Sequence, residues 1–168
     1  MAAGDADMRM TGGCQCGAVR FAASVVADSA HICHCRMCQK AVGNYFAALV
    51  GAPLRDFVWT RGQPSSFRSS EHVERGFCAA CGTPLVYRAD GSAHINVTIG
   101  SLDHPDRLMP TSQDSIEGRM PWFAELTAVP DLGRTEDIDS PERIAAIKAT
   151  NRQHPDHDTD QWPPENRP

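Results

Sequence analysis

Seven cysteines carry the chemistry available to this 168-residue chain, in three groups: Cys14-Gln15-Cys16, then Cys33-His34-Cys35 with Cys38, then Cys78-Ala79-Ala80-Cys81. An odd number excludes pairing all of them as intramolecular disulfides, and closely spaced thiolates brought together by a fold are common zinc donors. Gly17 follows the first group and Gly82 follows the third. A glycine there can take a positive φ, so that the chain turns beneath a metal and its amides point towards sulfur. That shared feature pairs Cys14, Cys16, Cys78 and Cys81 into one closed, tetrahedral, structural zinc site. A thioredoxin-like redox pair at Cys78 and Cys81 fits poorly, because Cys81 is followed by Gly-Thr-Pro and a strand rather than by a helix.

Cys33, Cys35 and Cys38 remain. Zinc takes four ligands, so three protein thiolates leave a position for water or substrate, and the centre is less negative than one with four. Such a metal is the stronger Lewis acid and deprotonates an incoming thiol. The alternative is a closed site in which His31, His34 or a distant side chain supplies the fourth ligand. His34 lies between two of the cysteines and is read as a hydrogen-bonding neighbour with a role in catalysis rather than as a ligand.

The elements that must position these groups read as mainly β. Strands are expected over 19–24, 45–50, 57–60, 85–88 and 93–99, the last with Ile95, Val97 and Ile99 alternating with polar residues. Turns are expected at Gly51-Ala52-Pro53, Arg61-Gly62-Gln63-Pro64 and Ala89-Asp90-Gly91. One helix is signalled near the C-terminus. Ser140 suits the N-cap, Pro141 the first helical position and Glu142 the first turn, with Ile144 and Ile147 on one face and an end near Thr150. The chain divides into a flexible lead-in (1–10), a zinc-binding domain (11–130), an extension carrying the short helix (131–150) and a polar, proline-rich, disordered tail (151–168).

Three runs resemble the motifs of one family: Gly12-Gly13-Cys14-Gln15-Cys16-Gly17-Ala18-Val19-Arg20-Phe21, then Cys33-His34-Cys35-Arg36-Met37-Cys38 with Gly43, then Arg75-Gly76-Phe77-Cys78-Ala79-Ala80-Cys81-Gly82-Thr83-Pro84-Leu85. Phe67-Arg68-Ser69-Ser70, Gly100-Ser101-Leu102-Asp103 and Pro121-Trp122 are similar to its weaker signatures. The family is that of the glutathione-dependent formaldehyde-activating enzymes, which includes relatives of centromere protein V, and the resemblance spans roughly residues 10–130. It implies a β-tent fold of coiled antiparallel sheets related to zinc ribbons. It also implies two zinc ions per chain, one structural on Cys14, Cys16, Cys78 and Cys81 and one catalytic on Cys33, Cys35 and Cys38. The implied activity is that of a carbon–sulfur lyase which joins glutathione, or a related thiol, to formaldehyde or another small carbonyl. Residues 113–119, QDSIEGR, depart from the family, whose members often carry a histidine followed by apolar and aromatic residues there. If that stretch lines the pocket, the pocket is polar and its thiol need not be glutathione.

Arg68, Arg36 and Lys40 are candidates for holding substrate carboxylates, against the plainer reading as surface charges. Trp122 and Phe46 are candidate pocket walls, against the plainer reading as core. His154 and His157 in the tail are candidate adventitious metal donors. A net charge of −5 and the absence of a basic stripe argue against nucleic acid, and no run is apolar enough to span a bilayer. The opening residues lack an apolar signal segment, so the chain is expected in the cytoplasm, where thiols stay reduced for metal. The reading leaves room for a homo-oligomer, and the function class left beside the enzyme is a non-catalytic zinc module that binds a partner.

Overall fold

The computed structural model describes residues 7–164. The elements run β1 (Asp7–Gly13), β2 (Arg20–Val26), β3 (His31–Cys33), α1 (Arg36–Val42), β4 (Ala47–Pro53), β5 (Phe57–Arg61), β6 (Ser65–Ser70), β7 (Val73–Phe77), β8 (Pro84–Ala89), β9 (His94–Thr98), β10 (Ser112–Asp114), α2 (Thr135–Ile138) and α3 (Pro141–Thr150). They form a three-stranded sheet, β1-β2-β5, and a seven-stranded sheet, β10-β3-β4-β9-β8-β7-β6. All pairings are antiparallel except β10 with β3. The fold is mainly β, as expected, and no helix among the described residues is long and apolar enough to cross a membrane.

The core lies where β2 packs over β4. Phe21 on β2 is fully buried, stacked on Phe57 and edge-on to Trp59, with Val25, Val50, Leu85 and Val97 completing the layer. A smaller apolar cluster gathers Cys33, Cys38, Ala47 and Leu49 between α1 and β4.

Four expectations need correction. Gly51-Ala52-Pro53 is the buried end of β4 rather than a turn. Its small residues let β4 approach the chain beyond β2, where Ser29 Oγ accepts the Gly51 amide at 2.8 Å and donates to Val26 O at 2.6 Å. The lead-in is ordered from residue 7: β1 pairs with the whole of β2 through backbone bonds that polar side chains do not disturb. Residues 1–6 lie outside the described residues. The helix at Pro141–Thr150 forms with Ser140 as its N-cap, and Ile144 is buried, but Ile147 is exposed, so the described residues cover one end of that face and not the other. The tail is not loose. Among its described residues, 151–164, His154 is buried and Trp162 donates from Nε1 to the Cys16 carbonyl at 2.7 Å.

Candidate metal centre and active site

Two cysteine clusters assemble, and their membership follows the spacing in the sequence. Cys14, Cys16, Cys78 and Cys81 form one, Cys33, Cys35 and Cys38 the other, with all sulfurs in each within 4.8 Å of one another. In the first, Cys14 and Cys16 follow β1, while Cys78 and Cys81 sit in the turn joining β7 to β8. Gly17 and Gly82 take φ values of 74° and 77°, left-handed turns that an L side chain would strain. Their own amides bond to the carbonyls of Cys14 and Cys78. The amides that reach sulfur belong to the residues just beyond, with Val19 N 3.2 Å from Cys14 Sγ.

Neighbouring sulfurs in this cluster are 3.5 and 3.8 Å apart. Tetrahedral zinc with Zn–S near 2.3 Å needs about 3.8 Å, so the donor set fits the metal. Burial pushes the Cys14 thiol up to about 12. Burial also raises Cys81, but hydrogen bonds from the Thr83 hydroxyl and amide outweigh it and bring that thiol down to about 6. One thiolate is therefore ready at neutral pH, and others must release protons as a metal enters.

The second cluster is built from the end of β3 and the start of α1. Cys33 closes the strand, Cys35 is the N-cap and Cys38 lies in the first turn. The Cys38 amide donates to Cys35 Sγ at 3.3 Å. That bond, set against burial, is the largest of the effects that lower the Cys35 pKa. Burial raises Cys33 strongly, with Asp114 and Cys38 adding to it. Burial also raises Cys38, though Arg75, whose Nη2 lies 3.3 Å from Cys38 Sγ, works against it. Among the described residues, no fourth His, Cys, Asp or Glu donor joins these three sulfurs.

The cluster opens into a cavity of about 270 Å³. His31, Arg75, Tyr87, Asn96, Asp114 and Ser115 face it beside the cysteines. Three of these, Arg75, Tyr87 and Asn96, the sequence reading passed over as site residues. Arg75 is nearly fully buried and also lies over the Tyr87 ring, 5.0 Å from its centroid. Ser115 holds a left-handed conformation at φ 50°, rare outside glycine, with its Oγ 3.8 Å from Cys33 Sγ. Arg75 was not legible, since it lies three residues before Cys78 in sequence but serves the other cluster in space. Ser115 does lie in the segment that departs from the family, and that departure was the available signal.

His34 turns away from the sulfurs. Its ring is fully buried, 4.7 Å edge-on to Phe123, and Nε2 meets Gln113 Oε1 at 2.9 Å. The His34 amide donates to Asp114 O, and Gln39 Nε2 donates to both His34 O and Gly118 O. These bonds clamp residues 113–118 beside the cysteine segment and so place Ser115.

The other candidates lie elsewhere. Arg68 pairs with Asp90 at 2.6 Å on the surface. Arg36 donates to Gln39 Oε1 at 3.1 Å, and both Arg36 and Lys40 are exposed. Trp122 stacks edge-on to Tyr45, and Phe46 on Phe123, away from the cavity wall. His157 is exposed and His154 joins neither cluster.

The motif residues Arg20 and Asp103 form a buried ion pair at 2.6 Å, which Asp158 of the tail extends at 2.7 Å. Burial raises the Asp103 pKa, but Arg20 and the Thr11 hydroxyl outweigh it and hold the carboxyl below the usual carboxylate range. The pair ties β2 to the loop after β9 and is structural.

Comparison with known proteins agrees with this geometry. A crystal structure of a Rhodobacter sphaeroides protein, 23% identical, superposes with a TM-score of 0.53 over 62% of this chain and 99% of that one, which shows a shared fold. The family model described as glutathione-dependent formaldehyde-activating enzyme matches residues 9–117, well over half of the chain, and the chain belongs to that family.

Proposed function

We propose that the chain is a zinc-dependent carbon–sulfur lyase that joins a thiol to a small carbonyl compound at Cys33, Cys35 and Cys38. One observation carries the reading: three sulfurs within 4.8 Å face a cavity, and no fourth protein donor among the described residues completes them. A zinc ion held there would supply Lewis acidity and lower the pKa of a thiol that reached it. The other zinc, on Cys14, Cys16, Cys78 and Cys81, is structural, giving two per chain.

In the reaction the thiol sulfur attacks the carbonyl carbon, a C–S bond forms, the C=O π pair moves to oxygen, and the thiol proton ends on that oxygen. No oxidant is needed. The chain's own groups suit each requirement. His31 donates from Nδ1 to Ser29 O at 2.8 Å, which leaves Nε2 as a proton acceptor 3.7 Å from the Asp114 carboxylate. The Ser115 hydroxyl is placed to donate to the oxygen as charge develops there. Arg75 disperses negative charge on Cys38. Glutathione and formaldehyde are the first pair to assay, and seven unpaired thiols suit the reducing cytoplasm.

Metal analysis should give two zinc ions per chain, with mild chelation removing the Cys33–Cys35–Cys38 ion first while the fold persists. Zinc X-ray absorption should change when a thiol is added. Four protein ligands at both metals and a spectrum indifferent to thiols would replace the lyase by a non-catalytic zinc module.

A further inference from the structure

A second cavity, of about 260 Å³, adjoins the cysteine cavity and has a different character. The two share Leu49, Arg75 and Tyr87 as lining residues. Beyond that shared wall the lining of the second cavity includes Ala41, Val42, Phe67, Phe77 and Pro84, a mainly apolar set with two aromatic rings, and Thr98 adds a hydroxyl that donates to Pro84 O. Phe67 and Phe77 sit edge-to-face with centroids 6.3 Å apart, and Phe67 remains 46% exposed. Formaldehyde has no atoms with which to fill such a space. A cavity of roughly 150 Å³ already accepts a benzene ring.

Charge points the same way. Among the described residues, Arg75 is the only lysine or arginine lining either cavity. It is already engaged, with Nη2 at Cys38 Sγ, Nε donating to Ser69 Oγ at 3.2 Å and its face on Tyr87. Asp114 adds a carboxylate beside the cysteines. A peptide-like thiol with two carboxylates would meet negative groups and no spare cation.

We propose that the second cavity seats an apolar, phenyl-sized substituent carried by the thiol, so that the substrate is a hydrophobic thiol rather than one with charged termini. This rests on the reading of Cys33, Cys35 and Cys38 as a thiol-binding zinc site. The sulfur sits at the cysteine cluster, and the substituent lies along Tyr87 against Phe67 and Phe77. Affinity then comes from apolar burial rather than from ion pairing.

The test is calorimetric titration of the zinc-loaded chain with phenylmethanethiol, 2-mercaptoethanol and glutathione in parallel. Phenylmethanethiol should bind about tenfold tighter than either of the others, or more, as burial of a ring predicts. Phe77→Ala and Phe67→Ala, each of which removes one aromatic wall of the cavity, should each bring that preference down towards one; melting curves check that the variants fold. Because Phe67 is a surface residue, its variant keeps the test decisive should Phe77→Ala misfold. If 2-mercaptoethanol or glutathione binds as well as phenylmethanethiol, or the preference survives both variants, the apolar seat is wrong while the thiol site stands. If no thiol binds, the thiol site itself is wrong and the proposal goes with it.

Discussion

Single side chains decide how charge is shared between the two cysteine clusters. Arg75 reaches Cys38 from β7 while Cys78, three residues on, belongs to the other cluster, so one strand braces both. A charge-assisted hydrogen bond of this kind contributes about 1.5–3 kcal/mol. Arg75→Met should therefore weaken zinc retention at Cys33, Cys35 and Cys38 by at least about tenfold, since 1.4 kcal/mol is a factor of ten. Competition with a coloured chelator measures this, and the four-cysteine ion serves as the internal control, expected to be unaffected. Equal retention in variant and parent would show that Arg75 merely fills space. At the buried Arg20–Asp103 pair, Asp103→Asn removes the buried charge partner and leaves the guanidinium with only the half-exposed Asp158. Breaking a buried pair costs about 3–5 kcal/mol, which a denaturant melt should show directly.

At the scale of elements, the four-cysteine cluster ties the end of β1 to the β7–β8 turn, whereas Cys33, Cys35 and Cys38 all lie within one strand–helix junction. Closing the long loop matters more to folding, and a structural zinc can supply an apparent 10–16 kcal/mol, roughly the stability of a whole domain. Cys81→Ser should accordingly lower the melting temperature far more than Cys35→Ser, and equal losses would refute the division into structural and open sites. What was legible in the sequence follows the same contrast of range. Cysteine spacing, the positive φ of Gly17 and Gly82, and the Ser140-Pro141 helix start are all local signals, and each appears in the structure as read. The edge strand β6, with its polar SSFRSS run, shows no alternation to reveal it, because both of its faces are largely exposed. Gly51-Ala52-Pro53 carries turn residues for a different reason, namely the close approach of Ser29 to β4. The placement of Arg75 depends on the long-range approach of β7 to Cys38 of α1, which no local pattern encodes.

Across the whole molecule, the polar tail closes over the face of the four-cysteine cluster, and composition could not reveal it because its anchors are long-range polar contacts. The His154 amide donates to Gln15 O at 2.7 Å, and Trp162 holds the Cys16 carbonyl. Arg61 donates to the Thr159 carbonyl, and Arg20 pairs with Asp158. Any side chain at Gly17 would collide with both His154 and Trp162. Arg61 Nη1, which can only donate, lies 3.1 Å from His154 Nε2, so Nε2 accepts and the ring is neutral, while Nδ1 lies 2.7 Å from Pro155 O and 3.2 Å from Arg20 Nη1. Burial holds its pKa below the ordinary value, and the guanidiniums of Arg20 and Arg61 act with burial, against the Pro155 carbonyl and Asp103. With the docked value below the free one, near 6.5, the released tail binds more protons, so docking is strongest above about pH 6.5 and weakens as pH falls below it. Asp103 is also depressed, but its contribution is lost only lower, as pH falls from about 4 through its folded value. The tail should therefore release before the body unfolds. Hydrogen exchange compared at pH 7 and 5.5, corrected for intrinsic rates, should show protection lost at the His154 amide while β4 stays protected. His154→Gln, which cannot titrate, should flatten that difference. Protection that is the same at both pH values in the parent chain would mean that the neutral imidazole is not what holds the tail down.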